Sequence, residues 1–366
     1  MTEEPVLTHR DGHVGHVVLN RPKAINALTH EMVTIIRRAL GEWAADPAVR
    51  TVVLTGSGER GLCAGGDIVS MYHDGIAGGT ASAAFWADEY RLDAEIAEYP
   101  KPFVAVMDGI VLGGGIGLSA HAGIRVVTER SKIGMPETGI GFFPDVGGTY
   151  LLSRAPGELG THLALTAAIV PGADAIAAGL ADWYVPSDRL PELLAALAVQ
   201  DAAETVAEFA DPAPESALAA AREWIDAAYE GDDLVKIHSR LEASDVPAAR
   251  EAAAVLLTKS PTSLKVTLRA LRAAADLPSL PDALEQEYRL SVRFHGSHDF
   301  LEGVRAQVID KDRNPRWSPA TFDGVSDESV ATYFAGLGDG ELAVRSPRSA
   351  PGQGFRGAPG RARPTR

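Results

Sequence analysis

The 366-residue sequence predicts an α/β fold, and three observations support this prediction. Short apolar runs typical of buried strands occur at 14–20, 51–56 and 103–107. Apolar residues at helical spacing lie between the first run and the second, and a glycine-rich loop follows both the second and the third. The recurring order of strand, helix, strand and glycine loop is typical of sheets whose strands are connected by helices.

The first predicted helix begins after Thr29, because a threonine side chain can cap the free N–H groups of a first helical turn. From Met32 to Trp43, apolar residues recur at the spacing of one helix face. Residues 80–98 are also predicted to be helical, and they carry the acids Asp88, Glu89, Asp93, Glu95 and Glu98. We expect most of these acids to face water, as acidic side chains usually do.

From about residue 187 onward the pattern changes, because an alanine-rich sequence interrupted by prolines predicts helices throughout. These predicted helices include 216–229, 247–258, 262–275 and 282–294. We therefore predict a β-containing core at 1–186, a helical region at 187–343 and a tail at 344–366. The tail is rich in Gly, Pro, Ser and Arg and is predicted to be disordered.

The composition excludes several classes of protein. A formal net charge of −15 argues against a nucleic-acid or anionic-membrane binder, although a local basic patch can still hold an anionic small ligand. The single cysteine, Cys63, rules out an internal disulfide and a cysteine-rich metal site, and it suits a reducing cytoplasm. The N-terminal residues lack the pattern of a secretion or transit signal, and every apolar run is too short to span a membrane. The histidines show no metal-ligand spacing, so we predict no metal site. Together, these observations predict a cytoplasmic protein with no membrane contact.

Two glycine loops, 61–68 and 109–117, carry the strongest chemical signal. Either loop alone is explained most simply as a tight turn, and the second fails to match a dinucleotide-binding motif because Leu118 stands where a third glycine is needed. Each loop follows a strand, so each can present a free backbone N–H group to the same ligand oxygen. Glu137 and Asp145 follow at a short distance along the chain, among further glycines. A surface carboxylate and a turn residue are the simpler interpretations of these two acids, but N–H donors beside paired carboxylates are what acyl chemistry requires.

The motifs that carry these residues, in chain order LNRPKAINALT, VVLTGSGERGLCAGGDI, GGGIGLSAH and MPETGIGFFPDVGG, resemble those of the crotonase (enoyl-CoA hydratase/isomerase) superfamily. The likeness runs from about residue 6 to about 340, includes the late motif at 295–317, and is strongest to the 3-hydroxyisobutyryl-CoA hydrolases of that superfamily. It implies a crotonase-like spiral of β-β-α units with a C-terminal helical region. It also implies an acyl-CoA substrate, no cofactor apart from the CoA that belongs to the substrate, and a homo-oligomer, commonly a trimer or hexamer.

Carried over position by position, the resemblance implies a role for five residues. The backbone N–H groups of Gly66 and Gly114 would form an oxyanion hole for the thioester carbonyl. Glu137 would be catalytic, either as a nucleophile on the carbonyl carbon or as a base on a water molecule. Asp145 would be the second catalytic acid. Glu89 would form a hydrogen bond with the 3-hydroxyl group of the substrate, although a solvated helix residue is an equal interpretation of Glu89.

One departure from the superfamily pattern favours hydrolysis. Hydratases of the superfamily use a second glutamate at the position that Gly117 occupies here, whereas this chain carries Asp145. The resemblance therefore implies that 3-hydroxyisobutyryl-CoA is hydrolysed to 3-hydroxyisobutyrate and CoA, a step of valine breakdown. Two alternatives remain: an enoyl-CoA hydratase or isomerase, and a non-catalytic acyl-CoA-binding or scaffold protein, which the presence of Glu137 and Asp145 disfavours. His121 is expected to be a core or supporting residue and Cys63 a packing residue.

Overall fold

The computed structural model describes residues 4–344, which form two sheets surrounded by helices. In chain order the strands are β1 (Val6–Asp11), β2 (Val14–Leu19), β3 (Thr51–Gly56), β4 (Phe103–Met107), β5 (Ile110–Leu112), β6 (Ile124–Val127), β7 (Lys132–Gly134), β8 (Ile169–Pro171) and β9 (Trp183–Tyr184). The larger sheet has the order β1-β2-β3-β4-β6-β9, and the smaller has the order β5-β7-β8. In the larger sheet only β1 runs antiparallel to its neighbour.

The helices connect these strands and then continue as a helical region. They are α1 (His30–Ala45), α2 (Ile68–Ala77), α3 (Ala81–Ala97), α4 (Gly114–Ala120), α5 (Gly148–Leu152), α6 (Leu159–Thr166), α7 (Gly172–Ala177), α8 (Leu190–Leu197), α9 (Ala202–Phe209), α10 (Ala217–Ala220), α11 (Arg222–Tyr229), α12 (Leu234–Glu242), α13 (Pro247–Leu256), α14 (Pro261–Asp276), α15 (Leu280–Phe294), α16 (His298–Val304) and α17 (Asp327–Phe334). A 3₁₀ turn covers Glu137–Ile140, and a π-helical turn covers Arg305–Ile309.

The predicted α/β architecture is confirmed, and so are the three predicted strands. The Thr29 side chain caps α1 as predicted, because its hydroxyl accepts a hydrogen bond from the Met32 N–H group at 3.3 Å. The predicted helix at 216–229 is instead two helices, α10 and α11. The expectation that most acids of the predicted helix 80–98 face water is wrong for Glu89 and Asp93, which are buried.

One apolar core extends from the sheets into the C-terminal helices. It joins strand residues such as Phe103 to helix residues such as Phe294 on α15. The Phe294 ring stacks on the ring of Phe143. The opposite face of the larger sheet is covered by α8 and α9 around Val53 and Leu193. The division at residue 187 stays a prediction, and the predicted tail lies outside the described residues apart from Val344. Within residues 4–344, every helix is too short or too polar to cross a membrane.

The loop after β3 extends the smaller sheet and thereby places the first glycine loop beside the second. On one side, the Leu28 N–H group donates to the Gly65 carbonyl at 2.8 Å. On the other side, the Cys63 N–H group donates to the Ile110 carbonyl at 3.1 Å, and the Leu112 N–H group donates to the Cys63 carbonyl at 2.9 Å. Backbone pairing on both sides leaves this loop little freedom, so the position of Gly66 is defined by main-chain hydrogen bonds.

Candidate active site

The backbone amides of Gly66 and Gly114 lie side by side, although they come from separate loops. A Cβ atom added to Gly114 would lie 3.4 Å from the Gly66 nitrogen, and one added to Gly65 would lie 3.7 Å from the Gly114 nitrogen. Among the described residues, neither of the two N–H groups donates to a backbone carbonyl. Both are therefore available to a single ligand oxygen, as an oxyanion hole requires.

Carboxyl groups flank this amide pair on both sides, and they explain the run of glycines. A Cβ atom on Gly113 would lie 2.6 Å from Glu137 Oε1, and one on Gly114 would lie 2.6 Å from Glu89 Oε1. Gly113 also has a φ of +49°, a conformation that side chains strongly disfavour. Glycine is thus required here both for the turn and for the close approach of the two acids.

Asn26 holds the first glycine loop in place, although the sequence analysis did not single it out. Its side chain is fully buried, and its amide nitrogen lies within hydrogen-bonding distance of the carbonyl oxygens of Ser57 (3.1 Å), Gly61 (3.2 Å) and Leu62 (3.0 Å). Its amide oxygen accepts from the Arg21 N–H group at 2.9 Å. One buried amide thus satisfies backbone carbonyl groups where the loop begins.

The amide pair opens into a cavity of about 360 Å³ that contains three predicted site acids. Glu89, Glu137 and Asp145 all line it, and their exposed fractions are only 2%, 7% and 6%. The rest of the wall is mainly apolar, with Met71, Trp86, Phe142 and Phe300 among its members. The structure therefore brings together all five residues predicted for the site, namely Gly66, Gly114, Glu89, Glu137 and Asp145.

Burial controls the charge of these carboxyls. It raises the pKa of Glu137 well above its usual range, and the neighbouring Asp145 adds to this rise. It likewise raises the pKa of Glu89, with Asp145 and then Glu137 as further causes. Burial also raises the pKa of Asp145, to about 7, but the hydroxyl of Tyr90 opposes this rise by donating to Asp145 Oδ2 at 2.7 Å. Within residues 4–344, Asp145 is the only one of the three that accepts a hydrogen bond from a neighbouring side chain, and this hydrogen bond favours its ionised form.

Asp93 is a fourth buried acid that the sequence analysis assigned to the solvent-facing group. It is 0% exposed, and neither carboxyl oxygen has a hydrogen-bond partner among the described residues. Burial raises its pKa well above its usual range, and Glu89, one helical turn earlier on α3, is the next cause. A Cβ atom on Gly117 would lie 2.8 Å from Asp93 Oδ1 and 2.8 Å from the Val146 Cβ atom. Asp93 and Val146 therefore fill the space beside Gly117.

Two further residues that sequence reasoning missed support the turn at Asp145. Tyr90, on α3, is fully buried. Its hydroxyl oxygen, which donates to Asp145, lies 2.6 Å from Ser291 Oγ on α15. Glu287, also on α15, accepts a hydrogen bond from the Gly147 N–H group at 2.6 Å. The helical spacing of Phe85, Glu89 and Asp93 on α3 was the one available signal that this acidic face is buried. Glu287 is 140 residues from Gly147 in sequence, so no local pattern reveals that contact.

His121 and Cys63 agree with their sequence interpretation as supporting and packing residues. His121 Nε2 lies 2.8 Å from the Val146 carbonyl oxygen, and burial lowers the pKa of His121 to about 4, so the ring is neutral and donates to that oxygen. Burial raises the pKa of the Cys63 thiol to about 12, which leaves it without nucleophilic thiolate at neutral pH.

A mixed α/β fold with paired glycine amides facing buried carboxyls defines a class of enzymes that act on acyl groups by stabilising an oxyanion. The chain belongs to the enoyl-CoA hydratase/isomerase family, whose sequence model matches residues 14–334. The resemblance seen in the sequence is thus confirmed, and the fold is the crotonase-like one that it implied.

Two solved structures and two curated relatives illustrate the range of this family. A carnitinyl-CoA dehydratase from Mycobacterium thermoresistibile is 53% identical, with a TM-score of 0.91 over 93% of this chain and 99% of that chain. An enoyl-CoA hydratase from Rhodobacter sphaeroides 2.4.1 is 44% identical, with a TM-score of 0.88 over the same shares. The mitochondrial 3-hydroxyisobutyryl-CoA hydrolase of Gallus gallus is 42% identical over 93% of this chain and 91% of its own length. The Homo sapiens protein of the same name is 37% identical over 93% and 90%.

Proposed function

We propose that this chain hydrolyses 3-hydroxyisobutyryl-CoA to 3-hydroxyisobutyrate and CoA, a reaction of valine breakdown. The curated relatives of this name span nearly the whole chain. The observation that carries the proposal is the convergence of the Gly66 and Gly114 amides on a small cavity with three buried carboxyls. That cavity offers what a thioester needs in order to be attacked by water, namely an oxyanion site, a base and an acid.

The thioester oxygen accepts hydrogen bonds from the Gly66 and Gly114 N–H groups. Negative charge develops on this oxygen only as the carbonyl carbon becomes tetrahedral, so the two donors stabilise the transition state more than the bound substrate. Each such donor contributes roughly 3 kcal/mol. The apolar wall of the cavity strengthens this effect, because it excludes the water that would otherwise screen the charge.

The protonation of the carboxyls assigns the proton transfers. Asp145 ionises first and so accepts a proton from the attacking water molecule, whose oxygen bonds to the thioester carbon. Glu137 keeps its proton and donates it to the departing sulfur as the carbon–sulfur bond breaks. Transfer of the proton from Asp145 to Glu137 restores the starting state, with one water consumed and one acid and one thiol formed. In this proposal Glu137 is the acid and Asp145 the base, which differs from the resemblance, since that implied a nucleophile or a base at Glu137.

Glu89 recognises the 3-hydroxyl group of the substrate. Its Oε1 atom has no hydrogen-bond partner among the described residues and lies beside Gly114, next to the carbonyl-binding amides. The raised pKa of Glu89 keeps the carboxyl neutral, so it can donate to the hydroxyl oxygen without placing a negative charge near the oxyanion.

Hydration of an enoyl-CoA is the second candidate function, and the names of the two solved structures favour it. Two observations disfavour hydration. The second glutamate of the hydratases is replaced here by Gly117, and the space beside Gly117 is already filled. A side chain there would collide with Asp93 and Val146. The acid that would add water across a double bond therefore has no space to enter from α4.

Two substrates separate these candidates. With 3-hydroxyisobutyryl-CoA, we expect stoichiometric release of free CoA thiol, and with crotonyl-CoA we expect no loss of the conjugated double bond. Rapid hydration of crotonyl-CoA without thiol release would overturn the proposal. Binding of both compounds with neither reaction would instead support the non-catalytic alternative.

Three further properties belong to the same proposal. We expect turnover to survive treatment with a chelator, since the proposed chemistry uses only side chains, backbone and water, and CoA is part of the substrate. We propose a cytoplasmic location. The curated relatives carry the word mitochondrial in their names, so imaging of a tagged chain is needed to distinguish the two compartments. We propose a trimer or hexamer, which analytical ultracentrifugation would distinguish from a monomer.

A further inference from the structure

Glu287 is a buried carboxyl that the proposed reaction does not use. It is fully buried and does not line the cavity. Its Oε2 atom accepts from the Gly147 N–H group at 2.6 Å, and its Oε1 atom accepts from the Thr149 N–H group at 3.0 Å and from the Thr149 hydroxyl. Among the described residues it forms no ion pair. Three donors from one short turn therefore converge on a single carboxyl from α15.

The turn that these donors belong to is strained. Val146 has a φ of +52°, a conformation that is rare for any side chain and exceptional for a β-branched one. Gly147 follows with a φ of +77°. Such a conformation is unfavourable and persists only where surrounding contacts hold it. His121 donates to the Val146 carbonyl, and Glu287 accepts from the residues that follow, so the turn is held from both sides.

We propose that Glu287 is the positioning residue for Asp145: it holds the strained turn at Val146 and so keeps the Asp145 carboxyl against Tyr90 and the cavity. This inference rests on the proposed function, because Asp145 is the base in that reaction. It makes the C-terminal helical region part of the active site, since α15 supplies both Glu287 and the Ser291 hydroxyl that contacts Tyr90.

Only the ionised form of Glu287 satisfies the turn completely. Three donors face it, so a proton on either oxygen would set an O–H group against another donor. Burial raises the pKa of Glu287 to about 8, with Asp145 as a further cause and with the Thr149 and Gly147 donors opposing it. Within residues 4–344, the other groups whose charge interacts with it are Tyr90, Asp93 and Glu137, and none of them is a cation. His121 contacts the same turn and is neutral, because burial lowers its pKa to about 4. The turn is therefore held most firmly above about pH 8.

The test replaces Glu287 and compares its effect with a matched change on the same helix. In E287Q, the amide NH₂ group opposes one donor at every pH. We expect kcat to fall about ten- to a hundredfold, the value of one hydrogen bond to a charged group, with KM within about threefold. We also expect the wild-type kcat profile to lose the ionisation at about pH 8 that belongs to Glu287 and to keep the one at about pH 7 that belongs to Asp145. The control E285Q changes a glutamate of α15 whose one recorded hydrogen bond within residues 4–344 is from the distant Val344 N–H group, and it should match the wild type.

Thr149 provides a milder variant in case E287Q does not fold. T149V removes one donor and keeps the side-chain shape, and it should lower kcat about three- to tenfold, whereas T149S should retain activity. Hydrogen exchange gives a readout independent of turnover, and we expect amides 146–149 to exchange at least about tenfold faster in E287Q than in E285Q. The inference is overturned if exchange in E287Q equals that in E285Q, or if kcat falls while the ionisation at about pH 8 remains. If the wild type releases no thiol from any acyl-CoA, the proposed function fails, and the exchange measurement still decides whether Glu287 holds the turn.

Discussion

The hydrogen bond from Tyr90 to Asp145 sets the pH range in which the proposed base is charged. Tyr90→Phe removes the hydroxyl that lies 2.7 Å from Asp145 Oδ2 and leaves the ring in place. A hydrogen bond to a charged group is worth about 1.5–3 kcal/mol, which corresponds to a rise of about one to two units in the pKa of Asp145. Starting from a pKa of about 7, half of the wild-type sites are charged at pH 7. In the variant, about 1–10% remain charged, so kcat/KM at pH 7 should fall roughly 5- to 50-fold.

The full pH profile distinguishes this effect from damage to the fold. We would measure kcat/KM by the loss of thioester absorbance, which avoids a thiol reagent whose response changes with pH. The acid limb of Tyr90→Phe should move upward, and the rates of both proteins should converge to within about twofold above pH 9. The control Tyr99→Phe removes a hydroxyl that donates to the Leu40 carbonyl, away from the site, and should leave the profile unchanged.

Two outcomes would refute the reasoning. An acid limb that coincides with that of the wild type would mean that Asp145 does not act as a base, or that Tyr90 does not stabilise its anion. A rate that is lowered by the same factor at every pH would mean that the hydroxyl matters only for packing. In either case the roles proposed for Asp145 and Glu137 would have to be reassigned.

Three other predictions test the remaining parts of the site and the cost of its buried acids. Glu137→Gln should lower thiol release about 100- to 10,000-fold, the usual contribution of a general acid, while the affinity for acyl-CoA measured by calorimetry stays within about threefold; unchanged turnover would remove Glu137 from the mechanism. Gly114→Ala should lower kcat about 100- to 1,000-fold, because its Cβ atom would lie 3.4 Å from the Gly66 nitrogen, whereas Gly123→Ala, which has open space around it, should be silent. Stability should fall as pH rises from 5 to 7, because folding raises the pKa of Asp93 and the folded protein then keeps a proton that the unfolded chain has lost. We would measure the free energy of unfolding of Asp93→Asn by denaturant titration at several pH values. Its slope against pH should be less negative than that of the wild type by about 1.4 kcal/mol per pH unit, the value for one proton. An unchanged slope would mean that Asp93 is ionised in the folded protein.

Local sequence patterns were sufficient to predict the features that depend on neighbouring residues. The strands at 51–56 and 103–107 are continuous apolar runs, as expected for strands buried on both faces, and Thr29 caps its helix by an interaction only three residues long. The strand–loop pattern also indicated that the two glycine loops can face one ligand oxygen, whereas the particular amides of Gly66 and Gly114 came from the family resemblance. The roles assigned to Glu137 and Asp145 stay predictions that the variants above would test.

Features that depend on contacts between distant segments were missed. Asp93 looks like a solvated acid because charge dominates its local context, and only its position one turn after Glu89 placed it on the buried face. Glu287 lies among helices whose sequence shows amphipathic spacing and nothing about the turn that it contacts. The rule that helix acids face water fails at both positions, since buried carboxyls concentrate where function requires shifted protonation.

The space shared by Asp93 and residue 117 also limits the evolutionary routes open to this protein. The first side-chain carbon of a glutamate at 117 would lie 2.8 Å from Asp93 Oδ1 and 2.8 Å from the Val146 Cβ atom, so one of these groups would have to shift. We therefore expect a glutamate at 117 to require a smaller residue at 93 or a rearranged turn at 146. We expect reconstructed ancestors to change these positions together, and an ancestor carrying both Asp93 and Glu at 117 in an otherwise equal background to fold poorly.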